Sequence, residues 1–175
     1  MRAATIARDT AVGIVGGLAA SAAMNGFQAA WSAVQQRLEP EQDDGGDEPS
    51  TVKAADRVTK ATAGEPVPEP KRQAAGEMVH YGFGAVLGGL YGAARSIDSR
   101  VSAGFGMPFG AAVWAVADEA AVPALGLSGP PAETAPSTHL YSLLSHLLFG
   151  AVLEGTQRGV EAGLDRAAGP PRQQD

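Results

Sequence analysis

The sequence contains no cysteine among its 175 residues, and its net charge is −6 rather than positive. The absence of cysteine excludes disulfide bonds, thiolate metal sites and cysteine nucleophiles. The acidic balance and the lack of a basic face argue against binding to nucleic acid. No phosphate-binding loop, Gly-x-Ser-x-Gly elbow or His-Glu-x-x-His motif is present. We therefore expect no catalytic residue, no metal and no cofactor, and predict that the protein is not an enzyme.

Charged residues are also missing from four long runs, the longest being residues 10–36. A soluble helix normally carries charge on its water-facing side, whereas about 20 uncharged residues cross a bilayer as a helix. We predict an all-α integral membrane bundle with transmembrane helices at residues 10–34, 76–94, 101–127 and 138–157. A soluble Ala-rich bundle is the alternative, because Ala and Gly insert only weakly.

The remaining segments set the domain organisation. Residues 1–35 form the first span, and residues 76–160 form a three-span core. Between them, residues 36–75 are an acidic, Pro-rich outward loop that we expect to be partly disordered, with a short helix at 51–63. Residues 161–175 are expected to be a flexible cytoplasmic tail.

Basic residues in the short flanks predict the orientation. They are Arg2, Arg8, Arg95, Arg100, Arg158, Arg166 and Arg172. Because such residues favour the cytoplasmic side, they share one side only if both termini are cytoplasmic. A cleavable signal peptide at residues 1–22 is an alternative interpretation of the first run.

Small residues recur at a spacing of four on each predicted span, which places them on one helix face. In lipid, small residues let helix backbones approach closely. We predict helix packing of the glycine-zipper type through Gly13, Gly17, Gly84, Gly88, Gly92, Gly106, Gly110 and Gly150. This packing is expected inside the bundle, with contacts between copies or to a partner protein as the alternative.

Ionisable residues within predicted spans are costly in lipid and tend to face the bundle interior. We predict a polar cluster in the outer half, with Asp118 or Glu119 paired to His146 and with His80 or Asn25 nearby. Three roles are open: interhelical hydrogen bonds that fix helix register, proton relay through imidazole, and metal binding. Glu154 and Arg158 are predicted to form an ion pair of little energetic weight at the membrane interface.

Three segments resemble an uncharacterised bacterial inner-membrane family that includes YagU. They are residues 79–84 (VHYGFG), 117–127 (ADEAAVPALGL) and 145–150 (SHLLFG). The resemblance runs from about residue 51 to 158. It implies a multi-span protein of the bacterial inner membrane and implies no activity.

The sequence favours one function and leaves a second open. The first is a structural or accessory membrane protein that packs through its glycine faces as a homo-oligomer or against a membrane-protein partner in the lipid bilayer. The alternative is a small proton or ion channel, or a transporter-like protein, that uses the outer polar cluster.

Overall fold

The computed structural model describes residues 2–38 and 48–168. These residues are almost entirely helical and contain no β-strand, which confirms the predicted all-α class. The disorder predicted for the acidic loop falls mainly on residues 39–47, which lie outside the described residues. The end of the predicted tail, residues 169–175, also lies outside them.

Six α-helices form the architecture of the described residues, linked by short 3₁₀ segments and by one π-helical turn. They are α1 Arg2–Leu38, α2 Ser50–Ala63, α3 Arg72–Ile97, α4 Met107–Val116, α5 Val122–Ala124 and α6 Pro136–Ala168. The predicted short helix at 51–63 corresponds to α2. Helix α6 runs past the predicted end of the core, so that residues 161–168 are helical.

The prediction of one continuous helix over residues 101–127 is wrong at its first part. Ser99–Gly106 is a distorted 3₁₀ segment in which Gly104, Phe105 and Gly106 adopt left-handed backbone angles, with φ of 63°, 57° and 75°. Left-handed residues interrupt the helical hydrogen-bond ladder. Helix α4 then begins at Met107, with Pro108 in the first turn, where a missing N–H costs nothing.

The same stretch is irregular at its second part. Residues Ala117–Ala121 form a π-helical turn between α4 and α5. Pro123 has no N–H to donate to the carbonyl of Glu119, and in a regular α-helix its ring would collide with that carbonyl. The wider turn occurs at this point and places Asp118 and Glu119 within it.

Glycine contacts hold α1 against α3. A Cβ atom built on Gly88 would overlap the carbonyl oxygen of Gly13 and lie 2.8 Å from the Cα of Gly17. Gly84 is equally close to Ser21, and Gly92 to the backbone of Asp9. At Gly88 and Gly92 the two backbones are therefore too near each other to accept any side chain, and at Gly84 the Ser21 hydroxyl occupies the space.

A second glycine contact holds α4 against α6. A Cβ atom on Gly110 would overlap the carbonyl oxygen of His146, and Gly106 and Gly150 would overlap each other's carbonyl oxygens. All eight glycines predicted to pack helices thus face a neighbouring helix of the same chain.

Helix α2 lies across the end of the bundle where α3 begins. Val52 and Ala55 are buried, and the side chain of Val52 fills the space beside Gly76 of α3. Arg57 donates hydrogen bonds to the carbonyl oxygens of Leu125 and Gly126, the latter at 3.0 Å. A cation at the carboxyl end of a helix is favourable because unpaired carbonyl oxygens gather there.

The described residues contain one helix, Ala3–Leu38, that is long and apolar enough to cross a membrane. The surface of the bundle is nevertheless apolar at many positions: Met78 is 76% exposed, Val116 67% and Leu90 60%. The interior holds Ser21, Ser145, Glu154 and Gln157, which are fully buried, beside an apolar core around Tyr91, Phe149 and Leu153.

Candidate functional site

A cavity with a mixed polar and apolar lining opens at the end of the bundle where the π-helical turn meets the start of α6; we call this the cavity end. Its volume is about 180 Å³. The chemically distinctive lining side chains are Asp118 and Glu119 from the π turn and His139 and Ser142 from α6. Ser50 at the start of α2 and Thr138 also line it.

Asp118 and His146 lie close together on the inner side of this cavity. His146 Nδ1 is 3.7 Å from Asp118 Oδ2, and Ser142 donates its hydroxyl hydrogen to the same carboxylate oxygen. His146 Nδ1 also faces the carbonyl oxygen of Ser142 at 2.9 Å. The imidazole is mostly buried. Because a carbonyl oxygen only accepts hydrogen bonds, the Nδ1 hydrogen of His146 points to Ser142, and the Asp118 carboxylate is held by the Ser142 hydroxyl.

Glu119 pairs with a histidine that the predicted cluster does not include. His139 Nδ1 lies 2.7 Å from Glu119 Oε1, and its Nε2 lies 3.0 Å from the carbonyl oxygen of Pro131. Both ring nitrogens face oxygen acceptors, and only the imidazolium carries a hydrogen on both. The geometry therefore favours the protonated form of His139. Helical spacing alone does not reveal this pair, because it depends on the Pro131 turn.

The two other predicted members of the cluster make separate contacts between α1 and α3. Asn25 donates a hydrogen bond of 2.9 Å to Glu77, and His80 Nε2 lies 3.4 Å from the carbonyl oxygen of Ser21. These contacts join a different helix pair from the α4–α6 pair that carries the cavity. The predicted cluster is thus divided into two parts.

A charged network that sequence reasoning undervalued lies at the opposite end of the bundle, which we call the basic end. Glu154 is fully buried. It accepts hydrogen bonds from Tyr91 Oη at 2.7 Å and Arg158 Nε at 2.6 Å, and Arg95 Nε lies 3.2 Å from its second oxygen. The predicted Glu154–Arg158 ion pair is present, but α3 covers the carboxylate of Glu154, so the pair is not the exposed interface pair that the sequence predicts.

The network extends to α1 and to the end of α6. Arg95 binds Glu161 through two hydrogen bonds, one of 2.9 Å, and buried Gln157 donates to the carbonyl oxygen of Asp9 at 3.1 Å. Arg8 pairs with Asp9 at 2.9 Å. The three carboxylates and three guanidinium groups of this network balance in charge.

The Arg95–Glu161 pair predicts a pH dependence of stability. The Arg95 guanidinium, which donates hydrogen bonds to Glu161, holds the pKa of that carboxyl below its usual range. A carboxyl with a lowered pKa stabilises the fold above its unfolded pKa and loses this contribution as pH falls through its folded pKa. Glu161→Gln should therefore lower the thermal midpoint in detergent near neutral pH and have little effect in acid.

The control for this measurement is Glu133→Gln, which changes an exposed carboxylate at the cavity end. We expect its midpoint to follow that of the wild type at both pH values. An equal loss for Glu161→Gln at neutral and acidic pH would contradict the pH-dependent contribution of the pair.

Metal binding finds no support in the arrangement of ligands. Within residues 2–38 and 48–168, no three or more His, Asp or Glu side chains are placed to share one metal ion. The cavity end instead presents two separate carboxylate–imidazole pairs.

The fold and these two polar sites define an all-helical bundle with an open polar cavity at one end and a buried charged network at the other. The family described as "Protein of unknown function (DUF1440)" matches residues 59–155. The chain belongs to that family, and the matched segment contains Asp118, Glu119, His139, His146 and Glu154. No curated protein and no solved structure matches the chain.

Proposed function

We propose that the chain is a four-span protein of the bacterial inner membrane that takes up and passes protons at its cavity end. The four spans are α1, α3, the interrupted α4–α5 segment and α6. The resemblance to the family that includes YagU supports the inner-membrane location. This assignment keeps the number of predicted spans and the predicted first, second and fourth spans. The third span begins at Met107 instead of at residue 101.

The distribution of apolar and polar side chains supports lipid as the solvent. Large apolar side chains such as Met78, Val86 and Leu90 point outward, whereas charged Glu154 and polar Gln157 are buried inside. In water, such an arrangement exposes apolar surface and strips water from polar groups, both of which cost free energy. In lipid, apolar side chains face the acyl chains and ionisable residues face the interior.

The basic end is assigned to the cytoplasm. Arg8, Arg95 and Arg158 lie toward that end of α1, α3 and α6, and Arg100 lies in the segment after α3. Positive residues that flank spans favour the cytoplasmic side. Both ends of the described bundle, at Arg2 and Ala168, then face the cytoplasm, and the cavity opens outward.

The observation that carries the proton-handling role is the cavity lined by two carboxylates, each beside an imidazole. Histidine changes charge near neutral pH, and a carboxylate in contact with it can exchange the proton. Asp118 is more exposed than His146, so the proposed entry point for protons is Asp118, with His146 as the next ionisable group inside the bundle.

The accessory role through glycine faces has less support. Each of these faces is covered by another helix of the same chain. A partner that used them would have to displace α1 from α3 or α4 from α6. The glycines instead support close internal packing, which fixes the distance between the π turn and α6 and thereby the Asp118–His146 contact.

The test is proton flux into liposomes that contain the purified protein, driven by a pH gradient and read with an internal pH-sensitive dye. Asp118→Asn should reduce the flux by about tenfold or more, because it removes the proton-accepting group at the cavity. His146→Gln should have a similar effect.

Glu133→Gln is the matched control, since it removes an exposed carboxylate at the same end that does not line the cavity. Its flux should equal that of the wild type. Wild-type liposomes with no flux above empty liposomes, or unchanged flux in Asp118→Asn, would reject the proton-handling role.

A further inference from the structure

The two ends of the bundle differ in how firmly they are closed. At the cavity end, Asp118 and Glu119 line an open space. At the basic end, Glu154 is fully buried, accepts hydrogen bonds from Tyr91 of α3 and Arg158 of α6, and lies 3.2 Å from Arg95 Nε. The second set of contacts ties α3 to α6 at the basic end.

A tight backbone contact separates the cavity from this network. His146, Gly150 and Glu154 are four residues apart and lie on one face of α6. At Gly150, the backbone of Gly106 approaches too closely to admit even a Cβ atom. No water-sized gap fits such a contact. The imidazole of His146 and the carboxylate of Glu154 are separated by about 12 Å of helix, at 1.5 Å per residue.

The segment that makes this contact is held in an unusual conformation. Phe105 adopts a left-handed φ of 57°, which residues other than glycine rarely do. Its ring lies 5.0 Å from the guanidinium carbon of Arg158 and also faces Gly155. Arg158 therefore contacts Glu154 on one side and the 3₁₀ segment on the other. Loss of these two contacts would free both the Glu154 carboxylate and the 3₁₀ segment.

Resting on the proposed function, we propose that the Tyr91–Glu154–Arg158 network is an inner gate, closed in this structure, and that its release exposes the interior to the cytoplasm. The outward cavity and the sealed basic end are then one of two alternating states. In the other state, α3 separates from α6 at Glu154 and the Gly106–Gly150 contact opens.

The absence of cysteine makes the gate measurable by single-cysteine labelling in proteoliposomes. The reporter is Ser145→Cys, a near-isosteric change at a fully buried position of α6. A membrane-impermeant thiol reagent is applied from the side of the basic end. Tyr91→Phe removes the hydroxyl donor from Glu154 and should increase the labelling rate by roughly tenfold, as expected from loss of one charge-assisted hydrogen bond.

Arg158→Gln is a second gate variant that leaves Tyr91 in place, and it should increase labelling in the same direction. Arg100→Gln is the control, because Arg100 is exposed at the same end and pairs with Asp98. It should label at the rate of the reporter alone.

A second reporter separates this proposal from the proposed function. Thr138→Cys lines the outward cavity and should react from the cavity side in every variant. Failure of that reaction would count against the cavity and its orientation. Reaction of Thr138→Cys combined with unchanged Ser145→Cys labelling in both gate variants would overturn the gate. Equal labelling of Ser145→Cys from both sides would also overturn the gate, since that outcome would mean that the whole bundle has opened rather than the basic end alone.

Discussion

Gly88→Ala is expected to destabilise the bundle by about 3 kcal/mol, the upper part of the range for overpacked interiors. The added methyl group would overlap the carbonyl oxygen of Gly13 and press on the backbone of Gly17. A side chain can rotate away from an intruding atom, but two helix backbones can only separate. Separation of α1 from α3 would also remove the contact between Gly17 and Gly84.

The measurement is the unfolding free energy in mild detergent, followed by circular dichroism. Gly82→Ala is the control, since it makes the same chemical change on the same helix at a position with nothing within 4 Å. Alanine favours helix over glycine by about 1 kcal/mol, so this control should be neutral or slightly stabilised. Equal stability of the two variants would contradict the glycine packing of α1 on α3.

Glu154→Gln is expected to cost about 3 kcal/mol or more, which is typical for removal of one partner of a buried ion pair. The change keeps the size of the side chain but removes the negative charge that lies between Arg95 and Arg158. The guanidinium of Arg95 is then left inside the bundle with Glu161 alone, and α3 loses part of its attachment to α6.

Glu161→Gln is the control for this second prediction, because Glu161 binds the same Arg95 but is about one-third exposed. Partly exposed ion pairs contribute about 1 kcal/mol or less, so the two losses should differ clearly near neutral pH. Similar losses for the two variants would mean that water reaches Glu154, and the buried network would have to be abandoned.

Much of the helical architecture could be predicted from the sequence. The uncharged runs indicate α1, α3 and α6, because a span in lipid excludes charged side chains regardless of which helices it packs against. The spacing of glycines identified the packing faces, because residues four apart share one side of a helix. Spacing does not reveal which helix faces contact each other, so the contact between Gly17 and Gly84 can be identified only in the folded structure.

The break before α4 was missed although its signals are local. Gly104, Gly106 and Pro108 fall within five residues, and this combination is typical of a helix start. The uncharged character of the run outweighed that signal in the prediction. Hydropathy reports which solvent a segment prefers, and it does not report whether the backbone is continuous.

The candidate site was predicted in part. Asp118 and His146 lie together because the π turn and the Gly110 contact bring α4 against α6. His139 was missed because its second contact is with a carbonyl oxygen of a loop. Glu154 was undervalued because its four-residue spacing from Arg158 suggested a local surface pair, and its burial depends on distant Tyr91.

Whether lipid surrounds this bundle can be measured by alkaline extraction of membranes. The untagged chain is expressed, membranes are collected and washed at high pH, and the pellet and supernatant are assayed for the protein. A chain that spans the bilayer remains in the pellet until detergent is added. Release into the supernatant as a folded, detergent-free protein would contradict the membrane location, the orientation and the proton-handling role together.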